Sequence, residues 1–409
     1  MLDNVMKTES FEKDSVFIVN KRHSISFIFL MLLSVYMVLF FTLSQSMGGV
    51  FHDLTYGLFL LVFLYLILQM VFGKSKANKK YLILFIVFIG VLSLSILNAR
   101  SGVGSGIALL VALIGFYMLR IDPLKPEERN LIYYFFVISV FLVLLNGTTI
   151  DIMEKGKVNP NNCAMLLAIL FCISLVRYCS TKKKIYFIVS SICVLLQIVY
   201  NSRTSLLAII LFAFLSIILK ANKKSFSSKA VFWTIFCINI LGVFIAYFYS
   251  KVLFGMWGYG KVIIWGKDLF TGRQRLWSAA IDSIADHFLL GVGSHLVGTD
   301  QQIIVNVHHQ GLGILSAYGI VVFLLFFVAF AQIISLFYRN QKINRFSALF
   351  IIMMMIIGYF EIIITFEPTL VAILIGFGLI STEKNYQNEQ EQLARFNIYR
   401  DKKEDKKCY

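Results

Sequence analysis

The chain has 409 residues, of which 58% are hydrophobic and only 15% are charged. Soluble globular proteins carry charge on about a quarter of their residues, so this composition excludes an ordinary soluble protein. The formal net charge of +16 is compatible with nucleic-acid binding. However, Lys and Arg cluster in short stretches between apolar runs, the distribution described by the positive-inside rule. We therefore predict an integral membrane protein with no nucleic-acid partner.

Apolar runs recur along the whole chain, and each is long enough to cross about 30 Å of hydrocarbon as a helix. Only helices and closed barrels satisfy their backbone in lipid, and these runs lack the polar alternation of barrel strands. The predicted fold class is all-α, a polytopic transmembrane helical bundle of about twelve spans. The predicted spans are residues 24–43, 55–73, 81–98, 102–119, 131–146, 162–178, 185–200, 204–219, 230–250, 311–337, 347–365 and 368–380.

The basic residues orient these spans, because every second short loop is rich in Lys and Arg. We predict a multi-pass protein of the inner or plasma membrane with both termini in the cytoplasm. The predicted organisation is a cytoplasmic N-terminal segment (1–23), spans one to nine (24–250), a large extracytoplasmic loop (251–310), spans ten to twelve (311–380) and a cytoplasmic tail (381–409). Long loops cross the membrane largely regardless of charge, so the basic residues of the large loop do not contradict this topology.

The large loop carries a predicted amphipathic helix. Thr271 precedes Gln274 by three positions, a capping-box pattern at a helix start. Apolar residues then recur every fourth position between 276 and 288, and Gly291 ends the pattern. We expect this helix to lie on the membrane face or over the mouth of the bundle. We expect the loop residue Trp277, like Trp257 and Trp265, to belong to an interface belt rather than to stack on sugars.

Four arginines lie at or beyond the predicted outer ends of spans, where positive charge is otherwise avoided: Arg100, Arg203, Arg273 and Arg275. Arginine suits phosphate because its planar fork donates two parallel hydrogen bonds and stays charged at any working pH. Several arginines that converge from separate spans would bind a pyrophosphate at the lipid surface. The alternative is that each one reaches the headgroups or pairs with a nearby acid.

Two histidines, His308 and His309, close the loop just before a predicted span. Histidine takes up a proton near neutral pH, so it can act as a base toward an acceptor hydroxyl. The alternative is an interfacial pair without a role. A metal site that adds His295 has no supporting ligand spacing, and we predict no metal and no cofactor. Glu361 falls in the predicted eleventh span, where a carboxylate is a functional candidate or the counter-ion of an arginine.

Several motifs occur in a fixed order: S-R-T-S-L-L-A opens a late span, T-G-R-x-x-L-W and H-x-L-L-G-V-G-S lie in the large loop, and a histidine precedes the next span. In this order, over residues 201–325, the chain resembles the O-antigen ligase and polymerase (Wzy-type) superfamily. The family commonly has a histidine-asparagine pair, then nine residues, then a glycine. Here His308, His309 and Gly319 occupy these positions. Histidine thus replaces the asparagine, and Val322 replaces a small residue three positions beyond the glycine.

The resemblance implies a metal-independent membrane glycosyltransferase whose donor is a glycan on undecaprenyl pyrophosphate. It also implies roles for three catalytic residues: Arg203 and Arg273 would hold the donor pyrophosphate, and His308 would orient or deprotonate the acceptor hydroxyl. The further residues predicted to bind substrate are Arg100, Arg275, His309 and Glu361.

We predict a polymerase of lipid-linked oligosaccharide repeat units that makes capsule, exopolysaccharide or O-antigen. Its predicted partners are the lipid-linked oligosaccharide, membrane lipids, a chain-length regulator and a repeat-unit flippase. One alternative is a ligase that attaches finished polymer to another acceptor by the same residues. Another is a flippase or transporter of lipid-linked oligosaccharide. Transporters commonly show paired halves or interrupted helices near the midplane, and the sequence indicates neither.

Overall fold

In the computed structural model of the chain, the described residues are 23–44, 49–72, 79–99, 101–148, 160–200, 202–221, 226–253, 263–264, 267–268, 273–293, 296–297, 303–304, 307–338 and 345–383. The helices are α1 (Ile25–Leu39), α2 (Gly49–Phe72), α3 (Lys79–Ala99), α4 (Val103–Ile121), α5 (Pro126–Thr148), α6 (Pro160–Thr181), α7 (Lys184–Tyr200), α8 (Arg203–Ala221), α9 (Ser228–Tyr247), α10 (Arg273–Asp286), α11 (Gln310–Phe337), α12 (Phe346–Ile357) and α13 (Glu367–Thr382). Short π-helical turns follow α1 (Phe40–Ser44) and α9 (Phe248–Leu253). Two antiparallel pairs of very short strands lie between α9 and α11: β1 (Ile263–Ile264) with β2 (Lys267–Asp268), and β3 (Leu296–Val297) with β4 (Ile303–Ile304).

Within the described residues, eight helices are long and apolar enough to cross a membrane: α1 to α6, α9 and α11. Four further apolar helices, α7, α8, α12 and α13, are shorter. Large apolar side chains are exposed along α2, α3, α7, α8 and α9, which a soluble surface would not tolerate over such an area. The chain is an integral membrane protein with a helical fold, as its composition predicted. The count of about twelve crossings stays a prediction.

Side-chain contacts show which helix ends lie together. Gln197, near the end of α7, donates through Nε2 to the carbonyl of Ala164 at the start of α6, at 3.0 Å. We call this end of the bundle the loop end, because the connection between α9 and α11 leaves from it. At the opposite end, the Nε of Arg120 in the last turn of α4 donates to the carbonyl of Leu336 in the last turn of α11, at 3.3 Å.

Helix α13 lies at the centre of the bundle. Each of its residues from Glu367 to Ser381 is buried, and it packs against α1, α4, α5, α6 and α12. A helix that is apolar on all sides belongs in the interior. Pro368 stands in its first turn, where the missing N–H leaves no helical hydrogen bond unmade. Residues of α4 and α6 are buried along most of their length as well.

The helix predicted in the large loop is α10, and it packs over the bundle against α9 and α11. Trp277 and Ala280 on its inner face join Ala246, Val307 and Leu312 in a second apolar core. The prediction that Trp277 belongs to an interface belt is wrong, because its ring is 1% exposed and its Nε1 donates to the Val307 carbonyl at 3.0 Å. The predicted cap and the other two loop tryptophans lie outside the described residues: Thr271, Trp257 and Trp265.

Helix α11 is interrupted at Gly319, whose backbone (φ +77°, ψ 176°) departs from helical values. Residues 288–293, which follow α10, fill this interruption. The backbone of this 288–293 segment makes three hydrogen bonds of 2.9 Å with residues 316–320. These bonds supply partners for groups that a broken helix would leave unsatisfied. The sequence indicated no interrupted helix, so the break corrects that expectation.

Replacing Gly319 with alanine is expected to destabilise the protein. A Cβ at this position would lie 2.1 Å from the carbonyl oxygen of Leu289, and a left-handed backbone adds about 1–2 kcal/mol for a residue other than glycine. We expect lower abundance in the membrane and a lower Tm in detergent. Gly313→Ala is the matched control, because the nearest atom to its added Cβ is the Cδ1 of Ile362 at 4.0 Å. Equal stability of the two variants would contradict this account.

A buried ionic cluster joins α5, α6 and α13 at the opposite end. Arg129 and Arg177 each lie 3.6 Å from Oε2 of Glu383, and the Arg177 guanidinium stacks on the rings of Tyr133 and Tyr186. Burial raises the pKa of the Glu383 carboxyl, while the two arginines lower it. Neither arginine was predicted to lie in a buried ion pair. They lie instead inside the protein, where buried charges persist only with partners.

Candidate active site

Three predicted site residues meet at the loop end. The Glu361 carboxylate accepts a hydrogen bond from Nη2 of Arg273 on Oε1 at 2.8 Å, and Nδ1 of His308 lies 3.2 Å from its Oε2. Arg273 lies 88 residues and His308 lies 53 residues from Glu361 along the chain. The side chains of Arg273 and Glu361 are 13% exposed, and that of His308 is 32% exposed. We call these residues the loop-end cluster. Its histidine is the most accessible member.

Each member of the cluster stands at a helix end. Arg273 is the first residue of α10, and His308 lies just before α11. The predicted eleventh span (347–365) continues past Glu361, whereas α12 ends at Ile357 and Glu361 belongs to the turn that follows. Residues at helix ends are well placed for chemistry, since their side chains leave the packed bundle while the helices fix their positions.

Gln310, the first residue of α11, holds the turn that carries Glu361. Its backbone amide donates to the Gly358 carbonyl at 2.6 Å. Its Oε1 accepts from the amides of Ile363 and Ile364 at 2.8 and 2.7 Å. These hydrogen bonds hold the backbone in place on both sides of Glu361. The sequence analysis missed Gln310, although its place directly after the histidine pair was a signal.

Asn161 is a second residue that the sequence analysis did not select. It is the second residue of α6, and its Nδ2 lies 3.5 Å from Oε1 of Glu361, the long limit for a hydrogen bond. No local pattern links Asn161 to Glu361, which lies 200 positions away along the chain. Asn161 brings a further helix to the loop-end cluster.

The other predicted arginines have different positions. Arg203 is the first residue of α8 and is partly buried. Because α8 packs against α6 and α12, Arg203 starts a helix beside those that lead to Asn161 and Glu361. Arg275 lies in the first turn of α10 and is exposed. Arg100, like His295, lies outside the described residues.

His308 adopts a left-handed backbone with φ +50°. This conformation is uncommon outside glycine, although histidine accepts it more readily than most residues. It turns the chain so that consecutive side chains point to different places, His308 to Glu361 and His309 to the carbonyl of Gly242. Backbone strain of this kind occurs often at functional sites.

His309 points into the bundle and is 1% exposed. Its Nδ1 accepts from the amide of Leu312 at 3.1 Å, which caps α11. Its Nε2 therefore carries the hydrogen and donates to the Gly242 carbonyl at 3.0 Å. The ring also stacks on Tyr359 and meets the edge of Trp277. This position does not favour the predicted contact between His309 and a substrate.

Burial lowers the pKa of His309 from 6.5 to about 4. Between pH 6.5 and pH 4, His309 is protonated in the unfolded chain but neutral in the folded protein, so the free energy of unfolding falls as the pH falls. The total decrease in this free energy is roughly 3 kcal/mol. We expect the Tm in detergent to drop over this window in the wild type. The drop should be smaller in His309→Asn, which can still cap α11. Identical pH dependence in the two proteins would contradict this.

A comparison with known protein families gives a match to part of the chain. Residues 185–327 match the model of the family described as O-antigen ligase. Over this segment the chain is similar to O-antigen ligases. This match confirms the resemblance to the O-antigen ligase and polymerase superfamily, whose members are glycosyltransferase-like enzymes. A search of curated proteins gave no match.

The matched segment extends from α7 into α11 and contains Arg203, Arg273 and His308. Asn161 and Glu361 lie outside it, so α6 and the turn after α12 complete the loop-end cluster. The matched segment also contains Gly319 and residues 288–293. These residues of the H-x-L-L-G-V-G-S motif are thus the hydrogen-bond partners of the broken helix.

Proposed function

We propose that the protein is a polymerase of lipid-linked oligosaccharide repeat units. It transfers the growing glycan from undecaprenyl pyrophosphate to an acceptor repeat unit at the outer face of the membrane. The product is a capsule, exopolysaccharide or O-antigen. One observation carries the proposal: Arg273 and His308, which this transfer needs as cation and base, both contact the carboxylate of Glu361. Arg273 and His308 lie within the segment that matches the O-antigen ligase family, and Glu361 lies beyond the end of that segment.

Cations hold the donor in this proposal. Arg273 and Arg203 bind the pyrophosphate through their guanidinium forks, and Arg275 and Arg100 add positive charge around it. Pyrophosphate gains charge as it leaves the sugar, so cations fixed beforehand lower the barrier. They fill the role that a metal ion has in other enzymes, and we propose a metal-independent reaction without a cofactor.

His308 acts on the acceptor. The acceptor hydroxyl oxygen forms a bond to the anomeric carbon of the donor glycan, and the hydroxyl proton moves to the imidazole. The bond between that carbon and the pyrophosphate oxygen breaks, and its electron pair leaves with the undecaprenyl pyrophosphate. General-base catalysis of this kind contributes about 10²–10⁴-fold. The imidazolium then gives its proton to water, which returns His308 to its starting state.

The loop end faces the outside in this proposal, and both termini lie in the cytoplasm. Segments that join helices at the opposite end, such as 73–78, 181–184 and 338–345, are rich in Lys and Arg, as the positive-inside rule requires. Helices α12 and α13 are about 18 and 24 Å long, shorter than the hydrocarbon thickness of about 30 Å. The irregular turn between them therefore lies below the membrane surface, which is tolerated where backbone lines a water-filled recess.

A ligase is the second candidate, and the description of the matched family favours it. It would use the same donor and the same residues and would differ only in its acceptor. A chain-length regulator and a repeat-unit flippase are the partners that we propose for the polymerase. Interrupted helices also occur in transporters, but here the 288–293 segment fills the break in α11. We therefore do not propose transport.

Purified protein in nanodiscs, given a synthetic prenyl-pyrophosphate-linked repeat unit, tests the proposal. We expect a ladder of products that lengthens by one repeat, remains on the lipid pyrophosphate and releases one prenyl pyrophosphate per linkage. A chelator should leave the rate unchanged. A single transfer of finished polymer to a different acceptor would establish the ligase instead. Movement of the lipid-linked repeat across vesicles without any new linkage would refute both.

A further inference from the structure

We propose that Glu361 is a positioning residue that sets the tautomer of His308, rather than a ligand of the substrate. The inference rests on the proposed function, because it takes His308 as the base. An ionised carboxylate only accepts hydrogen bonds, so the contact of 3.2 Å with Nδ1 requires a hydrogen on that nitrogen. The lone pair then resides on Nε2, on the far side of the ring from Glu361.

The carboxylate has a separate partner for each oxygen. Oε1 of Glu361 faces Nη2 of Arg273 at 2.8 Å and Nδ2 of Asn161 at 3.5 Å, and Oε2 faces His308. Hydrogen bonds between ionised groups are about twice as strong as neutral ones, and at 13% exposure little water competes. Three of the roughly four acceptor positions of the carboxylate are thus directed at protein groups. Glu361 is therefore better placed to orient its neighbours than to bind a glycan.

The carboxylate and the imidazole belong to one rigid unit. Gln310 directly follows the histidine pair, and its side chain holds the amides of Ile363 and Ile364 beyond Glu361. The contact between His308 and Glu361 is consequently fixed by backbone geometry on both sides. A histidine hydrogen-bonded through one nitrogen is locked in the tautomer that presents the other.

Glu361 and His308 would act together as a carboxylate–histidine pair. The carboxylate keeps the imidazole in the reactive tautomer, and its charge stabilises the imidazolium that forms when the acceptor loses its proton. In serine proteases, loss of the correct tautomer lowers kcat about 10⁴-fold with little change in geometry. We expect Glu361→Ala and Glu361→Gln to lower kcat about 10²–10⁴-fold, with the donor KM little changed. Glu361→Asp should recover part of the rate.

The test measures the tautomer as well as the rate. NMR spectra of protein labelled with ¹⁵N-histidine in nanodiscs report the protonation of each ring nitrogen. The signals of His308 are identified because they are absent from the spectrum of His308→Gln. We expect hydrogen on Nδ1 in the wild type and a shift to the Nε2-protonated form in Glu361→Ala. Asp282→Asn is the control, because this exposed acid pairs with Lys251 at 2.5 Å away from the cluster. It should leave both the rate and the tautomer unchanged.

Several outcomes separate this inference from the proposed function. Wild-type kcat and tautomer in Glu361→Ala would overturn the positioning role, even if His308→Ala is inactive. A raised donor KM with normal kcat would overturn it as well, since Glu361 would then bind substrate. Full activity in His308→Ala would refute the assigned base, while the labelled spectra would still decide the role of Glu361. Glu361→Gln keeps the side-chain volume, so it provides the result if the alanine variant does not fold.

Discussion

Replacing Arg273 with alanine is expected to lower the rate of polymer synthesis by about 10²–10³-fold, the cost of removing one preorganised group that stabilises transition-state charge. The leaving pyrophosphate would lose the guanidinium that stands 2.8 Å from Glu361. Arg273→Lys should recover only part of the rate, because an ammonium group cannot donate two parallel hydrogen bonds. The measurement is the initial rate of release of prenyl pyrophosphate in nanodiscs.

Two controls accompany this variant. Removal of Arg273 leaves the nearly buried Glu361 without its cation, and an unpaired buried charge can cost about 3–5 kcal/mol of stability. The double variant with Glu361→Gln removes that charge, and its abundance separates folding from catalysis. Lys251→Ala is the matched cation control, since Lys251 contacts α10 through Asp282 outside the cluster. Polymer of wild-type length and yield from Arg273→Ala would exclude the arginine from the reaction.

His308→Ala is expected to abolish detectable polymer, with a loss of about 10²–10⁴-fold in kcat. The donor should still bind, because in our proposal the arginines hold its pyrophosphate and the histidine acts on the acceptor. This separates the two variants, since Arg273→Ala should also weaken donor binding. Single-turnover kinetics with saturating donor and a range of acceptor concentrations measure the difference.

His287→Ala is the control for the histidine variant. His287 follows the last turn of α10 and is exposed, so its loss removes an imidazole from the same segment without touching the cluster. Small added bases such as imidazole should restore some activity to His308→Ala, because the space left by the side chain is partly open to solvent. A normal acceptor rate without any added base would show that another group takes the proton.

The helical fold and the identity of all three cluster members could be predicted from the sequence. Apolar length and helix periodicity are local properties, so α10 and the spans follow from neighbouring residues alone. Arg273 and His308 stood out because charged and titratable residues are rare on the predicted outer side. Neither deduction needs a contact between distant parts of the chain.

The remaining features depend on contacts between distant residues. The end of α12 before Glu361 is set by the side chain of Gln310, 53 positions earlier than Ile363, and no local pattern encodes that bond. Gly319 gave only a weak signal, since an isolated glycine within an apolar run is usually tolerated in a helix. Its break is stabilised by the 288–293 segment, which is adjacent only after folding.

The pairing of the 288–293 segment with α11 has a consequence for the proposed reaction. It builds α10 into the bundle, so the spacing between Arg273 and His308 is set when the protein folds and not when a substrate arrives. A fixed spacing admits the acceptor hydroxyl along one line of approach to the donor carbon. In the proposed polymerase, every round of extension would then form the same bond with the same stereochemistry. The regularity of its product would depend on Gly319 and on the 288–293 segment that packs against it.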